Sequence, residues 1–194
     1  MPKRDPKHMQ ERRQQILDAA IMCFTERGYE AATMKQISEQ AGLSIGALYT
    51  HFKNKRELII ELLEWANEHR GNIQINSLEE LKAFFHAGAD ELSGEKNPGL
   101  HHLNIHILQS CFTDKEIRAA LAKSTESSQR LMEHTLTKLK EKGEIRADYD
   151  IQASALLLAH IGTSATLHSF ISSDITSDSI RSILIQQLNL MKPI

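Results

Sequence analysis

The 194 residues contain only two cysteines, Cys23 and Cys111. Their separation matches no metal or redox spacing, so neither a zinc knuckle nor a dithiol centre is available. No stretch reads as a signal peptide, and no apolar run approaches the roughly 20 residues that a membrane-crossing helix requires. The expectation is a soluble, cytoplasmic chain. A nucleotide-binding glycine loop, a zinc-protease motif and a nucleophile elbow are all missing, which argues against an enzyme. Strand-type alternation and internal repeats are absent as well, leaving helical periodicity as the organising signal.

That periodicity divides the chain into about nine helices. Ile16, Leu17, Ala20, Cys23 and Phe24 recur at helical intervals between about Gln10 and Arg27, ahead of Gly28. Cys23 falls on this apolar stripe and is expected in the core; Cys111 is left open between a structural thiol and a sensor. Thr33 with Gln36, and Asn54 with Glu57, have capping-box spacing, and Ser44 is a plain N-cap. Between the first two starts lies Ala41-Gly42-Leu43, in which Gly42 can take a positive φ. Two short helices around a glycine turn are a helix-turn-helix, with Ile37, Ala41, Leu43, Leu48 and Phe52 as its core. Residues 1–57 hold ten basic and seven acidic side chains, a net of +3, so the remainder of this −2 chain carries −5. A basic end on an acidic body suits a chain that sets that end on a polyanion.

Here a resemblance becomes specific. Ala41-Gly42-Leu43-Ser44, then Gly46-Ala47-Leu48-Tyr49-Thr50-His51-Phe52, Lys55 and Leu58 resemble the DNA-binding motif of the tetracycline-repressor (TetR) family of bacterial transcription regulators. Upstream, Ala19-Ala20, Phe24, Gly28-Tyr29 and Thr33 match too. The likeness covers about residues 10–60. In a reading helix over 44–51, Ser44, Ile45, Gly46 and Ala47 face the base edges. None is Arg, Lys, Asn or Gln, so bidentate base readout is unavailable there. Recognition should lean instead on Lys35, on DNA shape and on phosphate contacts. Thr33, Tyr49, Thr50, His51 and Lys55 are the phosphate candidates. Met1 to Lys7 reads as a disordered arm whose Lys3, Arg4 and Lys7 are within reach of phosphates or are an inert leader.

The head is assigned to residues 1–54 and a ligand-binding and dimerisation body to 55–194. The first body helix, from Lys55 to about Arg70 with Gly71 as its stop, is the connecting helix by resemblance. The following helices start at Ser77 with Glu80, after Asn97-Pro98-Gly99, at Thr113 with Glu116, at Asp148 or Asp150, and at Thr176 or Asp178. The last two carry more apolar surface than one body hides, and small residues permit close approach. Ala155, Ala159, Gly162, Ala165, Ile183, Leu184 and Leu188 are therefore expected at a homodimer interface. The resemblance also implies a small-molecule pocket in the body. Trp65, Phe84, Phe85, His106, Gln109, Phe112 and Met132 are its candidate lining. His102 and His106, four residues apart, have a metal-chelating spacing, but no third ligand is near, and neither a metal nor a cofactor is assigned. The function implied is a homodimeric repressor on an inverted-repeat operator, released by a small molecule. The alternative is a DNA-bound regulator controlled by a protein partner, which a solid, polar-free body would favour.

Overall fold

A computed structural model describes residues 6–70, 72–93, 97–172 and 176–193. These form α1 (Pro6–Arg27), α2 (Met34–Gln40), α3 (Ile45–Tyr49), α4 (Lys55–Arg70), α5 (Leu78–Ser93), α6 (Pro98–Ser110), α7 (Lys115–Glu141), α8 (Ile151–Ile171) and α9 (Ser177–Leu190). Among the described residues every regular element is a helix, as the periodicity requires. Lys3, Arg4 and Gly71 lie outside them. Pro6 and Lys7 belong to α1, which starts one turn earlier than its apolar stripe indicates because proline is well tolerated in a first helical turn.

Local chemistry accounts for most helix starts. Thr33 and Gln36 form the expected reciprocal box, the Gln36 N–H donating to Thr33 Oγ1 at 3.2 Å and the Thr33 N–H to Gln36 Oε1 at 2.9 Å. Asn54 Oδ1 accepts from the Glu57 N–H at 3.0 Å, but the Glu57 carboxylate reaches past Asn54 to the Lys53 N–H at 2.8 Å. The cap of α7 is Asp114, not Thr113. Its carboxylate accepts from the Glu116 and Ile117 N–H groups, while Thr113 stays in the preceding turn. Asn97 caps α6 with Pro98 at its first position, so the helix starts within Asn97-Pro98-Gly99 and not after it.

Two hydrophobic clusters hold the molecule together. One gathers Ile16, Ala20, Phe24, Ile37, Leu48 and Phe52 from the head with Leu58 and Ile59 from α4, and it continues into Leu103 and Ile107 of α6 and Ile117 of α7. The other fills the body between α5, α7, α8 and α9, around Leu81, Leu136, Leu139, Leu158, Leu184 and Leu188. The first cluster crosses from head to body because α6 lies directly on α1. Gly99 makes that possible: a Cβ there would stand 1.9 Å from the Thr25 carbonyl oxygen.

Ala155, Leu184 and Leu188, expected at an interface between subunits, are inside this second cluster, with Leu184 only 1% exposed. They seal α8 and α9 onto their own body. Ala165 also packs in that cluster, whereas Ile183 faces outward at 50% exposure. The outer face of the last two helices carries Leu157, Ile171, Ile183 and Leu190, all exposed. Small residues at Ala155 and Ala165 serve close packing within the chain instead. No helix among the described residues is long and apolar enough to cross a membrane.

Candidate nucleic-acid interface

The head builds its reading surface from short-range restraints. Gly42 has φ +62°, the left-handed conformation that glycine adopts without a Cβ penalty. The chain then reverses so that the Leu43 N–H donates to the Ser38 carbonyl at 2.8 Å. From α1, the Gln15 side-chain amide donates to the Ala41 carbonyl at 2.6 Å, holding the turn against the first helix. Ile37, Ala41, Leu48 and Phe52 are buried beneath, as expected, so α3 is presented with its opposite side free.

On that free side Ser44 caps α3 by accepting from the Ala47 N–H at 3.1 Å. Ile45, Gly46 and Tyr49 are exposed, Tyr49 by 51%, and Ala47 is half-buried. The exposed surface is thus short, mostly apolar, and without charge along the helix itself. Thr50 donates its hydroxyl to the Ala47 carbonyl at 2.6 Å, which leaves its oxygen lone pairs available as acceptors, not a phosphate donor. His51 is half-buried at the end of α3. Lys35 is exposed and stands 3.8 Å from Glu39, a surface pair weak enough to exchange for a phosphate.

Lys55 is not free in this way. Its ammonium donates to the Tyr29 and Glu30 carbonyls at 2.5 and 3.1 Å and lies 4.5 Å from the centre of the Tyr29 ring. It pins the start of α4 to the turn after α1. The exposed cation on this edge is Lys53, which makes no ion pair among the described residues and which the motif-based reading passed over. The signal available was its position, directly after the Phe52 that ends the motif.

Behind the head runs a seam of polar contacts to the body. His106, a pocket candidate by sequence, stacks on the Tyr29 ring with centroids 3.9 Å apart, its Nε2 3.2 Å from Ser110 Oγ. Burial pushes its pKa down against the pull of the Glu30 carboxylate, so the ring is neutral at pH 7. Its partner in the suggested metal pair, His102, instead has Nδ1 2.7 Å from the Pro98 carbonyl. Among the described residues no group of three or more His, Cys, Asp or Glu side chains is placed to hold a metal. Arg56 at the start of α4 forks onto Asp114 and reaches Glu116 at 3.0 Å.

Asp114 therefore has two tasks, capping α7 and holding α4. The Arg56 guanidinium, helped by the Ile117 and Glu116 N–H groups, keeps its carboxyl well below the usual carboxylate range despite the opposing cost of burial. A carboxyl depressed in the folded state contributes stability above its unfolded pKa and loses it as pH falls through the folded value. Asp114→Asn is expected to lower the melting midpoint modestly at pH 7, the pair being partly open to solvent, and the deficit should begin to narrow only as pH falls below about 4, the unfolded carboxylate value, with much of it still present at about pH 3. Melts across that range check this.

Several cavities open in the body, and two of them bear on the expected pocket. An apolar one of about 500 Å³ lies between α5, α7 and α8, and Phe84, Phe85 and Met132 line it, together with Ala159 and Gly162, both expected at a subunit interface. A charged cleft of about 830 Å³ lies between α4 and α7. Trp65, His106, Gln109 and Phe112 line neither. Trp65 packs on the head's cluster and against the His69 ring, and Phe112 is 78% exposed in the turn after α6. The physical reason is the docking of α6 on α1, which places His106 against Tyr29 on the head side of the body.

A family model described as bacterial regulatory proteins, tetR family, matches residues 16–62, from mid-α1 through both helices of the motif into α4. The HTH-type transcriptional regulator AcrR of Shigella flexneri is 30% identical over 118 residues, 61% of this chain and 50% of that one. The chain thus spans about half the length of AcrR. The HTH-type transcriptional repressor AcnR of Corynebacterium efficiens is 29% identical over 147 residues, 75% of each chain. A crystal structure of a TetR transcription regulator from Haloarcula marismortui shares the fold at TM-score 0.74 and 17% identity, covering 95% of this chain and 100% of that one. Residues 16–62, across the glycine turn and α3, thus carry the sequence of the tetR family of bacterial regulatory proteins, and the fold of a solved TetR regulator extends over nearly the whole length.

Proposed function

We propose that the protein is a cytoplasmic transcription repressor that binds an inverted-repeat operator as a homodimer and releases it when a small molecule occupies the body. The observation that carries this reading is α3, capped by Ser44 and backed by buried Leu48, with Ile45, Gly46 and Tyr49 left exposed. Ile45 and Ala47 suit thymine methyl groups, and Gly46 allows the backbone to approach the base edges. Tyr49, Lys35 and Lys53 supply the phosphate contacts, while Thr33 and Lys55 hold the frame. A dimer joined through the exposed apolar face of α8 and α9 presents two such helices about 34 Å apart. The cavities between α4, α5, α7 and α8 support control by a small molecule over control by a protein partner alone.

The test is a gel shift on the DNA upstream of the protein's own coding region, followed across a salt series. A specific shift at an inverted repeat is expected, retained at salt concentrations that abolish binding to unrelated DNA. Binding that is equally weak on all sequences would overturn the operator reading. Tyr49→Phe removes one hydroxyl from an exposed ring, so it is expected to weaken operator binding roughly three- to tenfold, the worth of about one hydrogen bond, without changing the melting midpoint. Equal affinity removes Tyr49 from the interface.

A further inference from the structure

We infer that the effector is an amphipathic molecule with an apolar body and a head group of no net charge, held across the two joined cavities. This rests on the ligand-responsive reading above and adds the chemistry of the ligand. The smaller cavity has a single polar side chain in its lining, Ser128, and that hydroxyl already donates to the Ser124 carbonyl at 3.1 Å. A charged or strongly polar group placed there would be desolvated without a partner. Phe84, Phe85, Met132 and Leu158 leave room only for an apolar body.

The cleft beside it has the opposite character. Its α4 wall carries Glu64 and Glu68, and its α7 wall carries Lys123, Arg130 and Lys138. Arg130 is already paired with the remaining carboxylate of the lining, Glu126, at 3.2 Å, so Lys123 and Lys138 are the cations that the α7 wall offers. Among the described residues no ion pair closes the cleft from α4 to α7. Ile73 and Leu131 line both cavities, so the apolar chamber and the two-signed cleft meet at these side chains. A head with a single charge gains from one wall and is repelled by the other. A zwitterionic head satisfies both, with its anionic end toward α7 and its cationic end toward α4.

The test uses alkyl dimethylglycines (alkyl betaines) of increasing chain length against alkyl carboxylates and alkyl trimethylammonium ions of the same lengths. All are titrated calorimetrically into the full-length protein below their critical micelle concentrations. The betaines are expected to bind one per chain, about three- to fourfold tighter for each added methylene until the chamber is full, and at least tenfold tighter than either singly charged series. Gly162→Leu is expected to shorten the best chain without altering the head preference. Lys123→Glu with Lys138→Glu should move the preference to the trimethylammonium series. Equal binding of the three heads, no dependence on chain length, or no binding at all overturns the inference. Operator release is followed in parallel. Betaine binding with operator affinity unchanged leaves the site standing and overturns the regulator reading. Release by another compound in a protein that binds no betaine does the reverse.

Discussion

Gly99→Ala is expected to destabilise the protein, although helix propensity alone predicts the opposite. In a helix an alanine is favoured over glycine by roughly 0.8–1.0 kcal/mol. At this position, however, the added Cβ would meet Thr25 backbone, 1.9 Å from the carbonyl oxygen and 2.5 Å from its carbon. Backbone on both sides cannot rotate away, so α6 must move off α1. Overpacking of that kind costs about 1–3 kcal/mol, and in a chain of this size each kcal/mol lowers the midpoint by about 2–4 °C. The same shift would separate Tyr29 from His106 and pull Leu103 and Ile107 from the head's cluster. Gly88→Ala in α5 is the control. Nothing lies within 4 Å of a Cβ there, so propensity should prevail and the midpoint should rise. A Gly99→Ala protein as stable as its parent would show that the α1–α6 approach is looser than described.

Ile183→Arg is expected to produce a folded monomer. Ile183 is 50% exposed and shares a groove between α8 and α9 with Ser164 and His168. Replacing it leaves the inner cluster of Leu184 and Leu188 untouched, so the melt should remain cooperative while light scattering reports half the parent mass. A monomer reads one half-site at a time, and losing the linked second contact should weaken operator binding about 10²- to 10⁴-fold. Ala165→Arg is not an equivalent test. Ala165 is packed in the body's cluster, and an arginine there would disrupt the fold before it reported on association. A stable dimer from Ile183→Arg would move the interface elsewhere.

The parts legible in the sequence share a short range. Thr33 with Gln36, Ser44 with Ala47, and Gly42 at φ +62° are decided by atoms within four residues of each other, so their spelling alone announces them. Where two capping residues are adjacent the same reasoning slips by one, as at Thr113 and Asp114. There the better acceptor wins because Arg56, 58 residues away in sequence, also pairs with it. Lys55 shows the same limit at the reading surface. Its place in the motif suggests a phosphate, but its reach is settled by the Tyr29 and Glu30 carbonyls.

By itself, the sequence determined the helical class, the helix-turn-helix, the likeness of residues 16–62 to the tetR family, and the absence of basic or amide side chains from Ser44 to Ala47. Each depends on periodicity, caps and a glycine turn, which are properties of neighbouring residues. Tertiary structure alone decided which apolar face is core and which is free, because α8 and α9 are apolar on more than one side and only their packing on α5 and α7 separates Leu184 from Ile183. It also decided that His106 belongs to the seam and Phe84, Phe85 and Met132 to a cavity. The reason is the docking of α6 on α1 at Gly99 and Thr25, a contact between segments more than seventy residues apart that no local pattern encodes.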